Sequence, residues 1–140
     1  MLSIYPACFF KEDNGYSVIF PDLNGLSTCG NTLDQAMEAS IDCLAGYLFI
    51  CQKEGSSAPN PSAMEDIQIA DVANELELSA NDAFINMVSV DVTLYAKEHF
   101  EKTVKKTLSI PLWLNKAAIE QNINFSQVLQ EALMNKLQMH

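Results

Sequence analysis

Lys105-Lys106-Thr107-Leu108-Ser109-Ile110-Pro111 is a short alternating run stopped by proline, and its reading decides the architecture of the chain. Side chains of a strand alternate between faces, so Leu108 and Ile110 share one face while Lys105, Thr107 and Ser109 share the other. Two short helical patterns follow, split by Asn122-Ile123-Asn124. Strand, helix, turn and helix in so few residues leave too much surface wet to make a core alone, and a lone strand leaves its backbone groups unpaired.

The simplest remedy is a second copy, with two strands pairing antiparallel over four helices. That arrangement is a ribbon-helix-helix dimer, whose ribbon lies in the major groove of DNA. Lys105, Thr107 and Ser109 then point to the groove, where they donate to guanine or phosphate acceptors, and the Thr107 methyl can meet thymine. Lys106 falls on the inward parity and is expected to reach a phosphate from the end of the ribbon. Pro111 suits the first turn of a helix, where its missing N–H costs nothing. Leu114, Ala117 and Ala118 form its inward stripe, and Asn122 is placed to end it in the left-handed conformation. Asn124 with Gln127 caps the second helix. Its first residues, Phe125 and Ser126, present free N–H groups to a phosphate, and Val128, Leu129, Ala132, Leu133 and Leu137 form its buried stripe. A helix-turn-helix, with the helix from Phe125 reading the groove, fits less well because no further helices follow to build its core.

Ahead of this tail the charge is of the opposite sign. Residues 1–95 hold two lysines against fourteen acids, residues 96–140 hold six lysines against four acids, and there is no arginine in the 140 residues. An acidic body on a mildly basic tail fits two partners, one basic and one anionic, and on charge alone it fits equally well a surface that merely aids solubility. Like charge on the body makes DNA affinity steeply dependent on salt.

The body reads as α+β. Residues 2–10 fit a strand buried on both faces; Lys11 to Gly15 is a hairpin turn; Tyr16 to Phe20 returns; Pro21-Asp22-Leu23-Asn24-Gly25 is a loop; and Leu26 to Cys29 completes a meander. Thr32 and Gln35 form a capping box at the head of a helix. Leu33, Ala36, Met37, Ser40, Ile41, Leu44, Leu48 and Cys51 trace its sheet-facing stripe, and Gly55 stops it. Ser56 to Ser62 is loop. Asp66 to Asp71 is predicted as a short strand, Val72 to Asn81 has no assignment, Ala83 to Tyr95 is predicted as the strand that completes the sheet, and Ala96 to Thr103 is predicted as a hinge. The domains expected are therefore 1–95, a hinge at 96–103, and 104–140.

Catalytic chemistry lacks a constellation. The only histidines are His99, in the expected hinge, and His140, the last residue. Glu12, Asp13 and Asp22 could approach one another at the strand ends, but a solvated acidic rim is the better reading than a metal site. Gly25 and Gly30 have no lysine behind them to make a phosphate loop, and Ser27 and Ser40 have no histidine partner. No catalytic residue, metal or cofactor is expected. Cys8, Cys29, Cys43 and Cys51 lack CxxC spacing and read as reduced thiols, so a cytoplasmic protein without signal peptide or membrane span is expected.

With both halves described, the chain resembles the HicB antitoxin family. The matching residues are Phe20-Pro21-Asp22-Leu23-Asn24-Gly25, Cys29-Gly30-Asn31-Thr32 leading into a helix with Ala36, Pro59-Asn60-Pro61-Ser62, and Asn124 to Leu133. The resemblance implies a partial RNase H-like body without nuclease activity, in keeping with Ile4, Pro6 and Cys8 on the first strand where catalytic acids would stand. It implies a HicA-type mRNA-cleaving toxin as the body's partner, operator DNA as the tail's partner, and a homodimer through the tail, with a tetramer left open. Glu12, Asp13, Phe20, Asp22 and Leu23 are the expected toxin contacts. The region from Asp66 to Thr103 departs from the shortest family members and receives no role. The alternative function is a stand-alone repressor that responds to a small ligand.

Overall fold

The computed structural model describes residues 1–139, so His140 lies outside the described residues. The chain divides into two compact units, Met1–Glu101 and Lys102–His140.

The first unit is built on a four-stranded antiparallel sheet of β1 (Ser3–Glu12), β2 (Gly15–Phe20), β3 (Leu26–Gly30) and β4 (Phe84–Val90), in the order β3-β2-β1-β4. β1 is central because its register serves two partners: Cys8 faces Ile19 of β2 and Ile85 of β4. Pro6 is tolerated in this central strand for a positional reason. It faces Met87 of β4 but lies beyond Cys8, where the pairing with β2 begins, so its missing N–H breaks no bond to β2.

One sheet face carries Tyr5, Ala7, Phe9, Val18, Phe20, Val88 and Val90 and is covered by α1 (Leu33–Glu54). Ala36, Leu44, Ala45 and Leu48 of α1 are buried there at helical spacing. Ser40 is buried with them, and its hydroxyl donates to the Ala36 carbonyl at 2.6 Å, which satisfies it without a partner outside the helix. Leu33, expected on this stripe, is exposed, because it opens the helix a turn ahead of the sheet contact. The Gln35 N–H donates to Thr32 Oγ1 at 3.2 Å, as a capping box requires. The reciprocal bond differs by one residue: Gln35 Oε1 accepts from the N–H of Asn31, at 3.1 Å. Gly55, at φ 71°, closes the helix.

Residues 64–99 depart most from expectation. Asp66 to Asp71 is not a strand. A 3-10 turn spans Met64–Asp66, and α2 (Ile69–Glu75) follows. Ile67 and Ile69 alternate like a strand, but Ile69, Val72 and Ala73 have helical spacing and pack with Cys8, Phe10, Ile19 and Ile85 on the second sheet face. The predicted strand Ala83 to Tyr95 also stops early. β4 ends at Val90, and Asp91 accepts a hydrogen bond from the Leu94 N–H at 3.2 Å, capping α3 (Val92–His99). Val92 and Ala96 are buried one turn apart, and Phe100 tilts against Phe49 at 5.3 Å between ring centres. The hinge expected at 96–103 is therefore helix and core up to Phe100, and the units part between Glu101 and Lys102.

The second unit holds α4 (Leu112–Glu120) and α5 (Phe125–Lys136). Pro111 precedes α4 as its cap, one position earlier than expected, and Asn122 takes φ 55° in the turn between the helices. Asn124 caps α5 by accepting from the Gln127 N–H at 3.1 Å. Residues 103–110 form neither helix nor paired strand within one chain. Among the described residues of this unit, none is buried.

Candidate functional site

The expected toxin contacts fall into three situations. Phe20 is 0% exposed and Leu23 1%, so both are core residues without surface to offer a partner, and that part of the expectation is corrected. The reason is local: the Phe20-Pro21-Asp22-Leu23 turn is a 3-10 turn, and Asn24 and Gly25 at φ 57° and 72° fold its apolar ends inward. Asp22 is half-buried and occupied. Its Oδ2 accepts from the Ser62 N–H at 2.8 Å and its Oδ1 from the Ser62 hydroxyl at 2.6 Å. Beside it, the Tyr5 hydroxyl donates to the Pro59 carbonyl at 2.6 Å. Burial, followed by the nearby Asp22 charge, pushes the Tyr5 phenol above its ordinary value. These bonds explain why the Phe-Pro-Asp-Leu and Pro-Asn-Pro-Ser stretches occur together: one holds the other. Sequence reasoning missed Tyr5 and Ser62, and only the joint presence of the two stretches signalled them.

Glu12 and Asp13 remain at the surface. Glu12 ends β1 and Asp13 opens the β1–β2 turn, and both border two clefts, one shared with Cys29, Gly30 and Asn31, the other with Glu77, Leu78 and Ser79. The Ser17 hydroxyl donates to Glu12 Oε2 at 2.7 Å across the hairpin. Gly15 and Gly30, both on the first of these clefts, approach closely. A Cβ on Gly15 would lie 2.3 Å from the Gly30 carbonyl oxygen. With Lys11, Lys53 and Lys97 set against sixteen acids up to Glu101, the body's surface is strongly negative.

Tyr95 of α3 meets the middle of α1. The Tyr95 hydroxyl donates to Asp42 Oδ1 at 2.9 Å, and its ring stacks on His99 at 3.9 Å. Burial and then the Asp42 carboxylate push the phenol up to about 12. The thiol of Cys8, in the second core, is pushed up to about 11 by burial alone, which suits an inert core residue. Among the described residues, no three His, Cys, Asp or Glu side chains are placed to hold a metal ion, and no helix is long and apolar enough to cross a membrane.

In the second unit, Lys106, Leu108 and Ile110 line one cleft with Phe125, Val128 and Leu129. These are every second residue of the segment, and Lys105, Thr107 and Ser109 are the alternate set. Ser126 borders the same cleft. The Asn124 cap satisfies the Gln127 amide, which leaves the earlier amides of that turn, at Phe125 and Ser126, for another acceptor.

The chain thus joins an acidic α+β unit, with helices on both faces of its sheet, to a small helical unit whose apolar residues lack cover. The chain belongs to the HicB-like antitoxins of bacterial toxin–antitoxin systems, whose family model matches residues 5–132. It is 31% identical to a chain of a toxin–antitoxin complex from Streptococcus pneumoniae, with a TM-score of 0.68 over 97% of this chain and 99% of that one. A chain of a HicA3 and HicB3 toxin–antitoxin complex shares the fold at 23% identity and TM-score 0.51, over 64% of this chain and 99% of that one. The Burkholderia pseudomallei antitoxin HicB does so at 21% identity and TM-score 0.52, over 96% of each chain. A 14.9 kDa protein of Haemophilus phage HP1, from its rep-hol intergenic region, is 27% identical over 90 residues, which are 64% of this chain and 62% of the phage protein's length.

Proposed function

We propose that this chain is a non-enzymatic antitoxin that neutralises a small basic HicA-type mRNA-cleaving toxin through its body and, as a dimer formed by the second unit, binds operator DNA in the cytoplasm to repress its own operon. The body is read as a partial RNase H-like fold and the second unit as half of a ribbon-helix-helix domain.

The observation that carries the reading is that none of the described residues of the second unit is buried, although Leu108, Ile110, Leu114, Val128, Leu133 and Leu137 lie in or beside its helices. Fully burying a side chain of this size contributes about 1.5–3 kcal/mol, so a second copy that covers them supplies the core that one copy lacks. Pairing brings two copies of Lys105, Thr107 and Ser109 onto one ribbon, and two lysine-poor halves then share the task of holding DNA. The acidic body supplies the complement to a cationic RNA-binding surface.

The test is co-expression with the small basic protein encoded in the neighbouring reading frame. The full chain is expected to restore growth and to co-purify with that protein, and to retard DNA from upstream of its own gene in a gel shift. Absence of both co-purification and rescue overturns the toxin reading, and absence of any retardation overturns the repressor reading.

A further inference from the structure

The second sheet face is covered unevenly. In antiparallel pairs, opposed residues point to the same side, so Ser17 with Cys29 and Ile19 with Ser27 stand on the face that carries Cys8 and Phe10. The cover from α2 and the residues after it packs on Cys8, Phe10, Ile19 and Ile85 and stops short of β3. The stop has a local cause. Glu77 takes the left-handed conformation at φ 56°, and the Leu78 amide reaches back to the Ala73 carbonyl at 2.8 Å. Leu78 thereby joins the core, while Leu76 stays 48% exposed.

What is left is a cleft of about 450 Å³ with Ser17, Ile19, Ser27 and Cys29 as its floor and Leu76 and Leu78 as its wall. β3 is an outer strand of the sheet, and among the described residues no other strand pairs with its far edge. Free edges are normally blunted by lysine, proline or a bulge. This one reads Leu26-Ser27-Thr28-Cys29-Gly30, with none of these devices. The cleft adjoins the two clefts bordered by Glu12 and Asp13, sharing Cys29 with one and Leu78 with the other, and Glu77 borders the latter. Among the described residues, Lys11 is the only cation along this rim.

We infer that the strip along β3 is where the toxin docks: an extended basic segment of the toxin pairs with the free edge of β3 as a fifth strand. Apolar side chains of that segment lie against Leu76 and Leu78, and its lysines or arginines lie on Glu12, Asp13 and Glu77. The occupant follows from charge and shape. Strand addition supplies main-chain hydrogen bonds irrespective of sequence, and the acidic rim selects a cationic segment over a neutral one. A second copy of this acidic body would meet the same rim with like charge. The inference rests on the toxin-binding reading of the body and adds the surface.

The experiment measures binding of the full chain to the purified basic protein of the neighbouring reading frame by calorimetry. Ser27→Lys with Cys29→Lys places two cations on the exposed floor and edge, and is expected to weaken binding at least about tenfold through like-charge repulsion and edge blocking. Leu76→Lys with Glu77→Lys does the same from outside the sheet, so the test stands even where the sheet variant fails to fold. Glu54→Lys, which changes the charge by the same amount as the floor pair at the far end of α1, is the control and is expected to bind within about twofold of wild type. No binding by the wild-type chain overturns the toxin reading itself. Tight wild-type binding that survives either folded lysine pair overturns the β3 assignment alone.

Discussion

Ser62 gives both its backbone N–H and its hydroxyl to the carboxylate of Asp22, at 2.8 and 2.6 Å, across forty residues of chain. The pair fastens the loop after α1 to the 3-10 turn after β2. Hydrogen bonds to a charged group contribute about 1.5–3 kcal/mol when partly buried. Asp22→Ala is therefore expected to lower stability by about 2–3 kcal/mol in a urea titration. Asp22→Asn, which keeps one acceptor oxygen, is expected to lose less. Equal losses from the two variants would show that the retained neutral oxygen contributes nothing and that the stabilisation needs the charged carboxylate with both oxygens.

Two glycines test backbone geometry in opposite ways. A Cβ on Gly30 would lie 2.3 Å from the Ala36 amide nitrogen and 2.7 Å from the Ala36 Cα, backbone atoms of α1 that cannot yield without moving the helix. Gly30→Ala is expected to cost about 3 kcal/mol or more, at the upper end of overpacking. Gly25 sits at φ 72° with nothing within 4 Å of an added Cβ, so Gly25→Ala costs only the left-handed strain, about 1–2 kcal/mol. Thermal melts of the two variants check the order, and a Gly25→Ala melt below that of Gly30→Ala would refute it.

The chain's signals are unequal in what they reveal, for physical reasons. β1, β2, β3 and α1 are legible because local rules agree there: turn residues at Asp13 to Gly15, the Thr32–Gln35 cap, helical spacing from Ala36 to Leu48, and Gly55 as the stop. The segment from Ile67 to Ala73 is ambiguous in sequence, since a few apolar residues satisfy strand and helix periods alike, and only the second sheet face decides between them. The helix at Val92 had a usable signal in Asp91, a good cap ahead of Val92 and Ala96 at one-turn spacing. The site is less legible than the fold. Exposure of Glu12 and Asp13 follows from a polar turn. The burial of Phe20 and Leu23, the Asp22–Ser62 pair and the open strip beside β3 depend on packing between segments far apart in sequence, to which periodicity is blind.

Tyr95 supplies a pH test. Burial and the Asp42 carboxylate raise the folded phenol from 10.0 to about 12, so the folded state favours the neutral form. For a group raised in the folded state, the stabilisation is whole below the unfolded value and is lost as pH climbs through the folded one. The wild-type advantage over Tyr95→Phe is thus expected to be constant up to about pH 10 and to shrink between about 10 and 12. Urea midpoints of both proteins across that window check it. A difference that stays flat to pH 12 would mean that the Tyr95–Asp42 bond does not form in solution.

Leu108 and Ile110 line the same cleft as Val128 and Leu129, whereas Lys105, Thr107 and Ser109 are the alternate residues, so dimerisation and DNA binding are expected to respond to different substitutions. Leu108→Glu with Ile110→Glu puts charge where the second copy must bury apolar surface, and is expected to give a monomer by light scattering and no gel shift. Lys105→Ala, Thr107→Ala and Ser109→Ala together leave the apolar set intact, and are expected to keep the dimer while abolishing operator binding. Lys105→Ala alone removes two cations from the dimer. The slope of log affinity against log salt should then become shallower by about two, at roughly 0.9 for each phosphate no longer neutralised. A triple variant that still binds its operator would remove this face from the groove. A glutamate variant that still dimerises would show that the cleft is not where the copies meet, and the ribbon reading of Lys105 to Pro111 would fall with it.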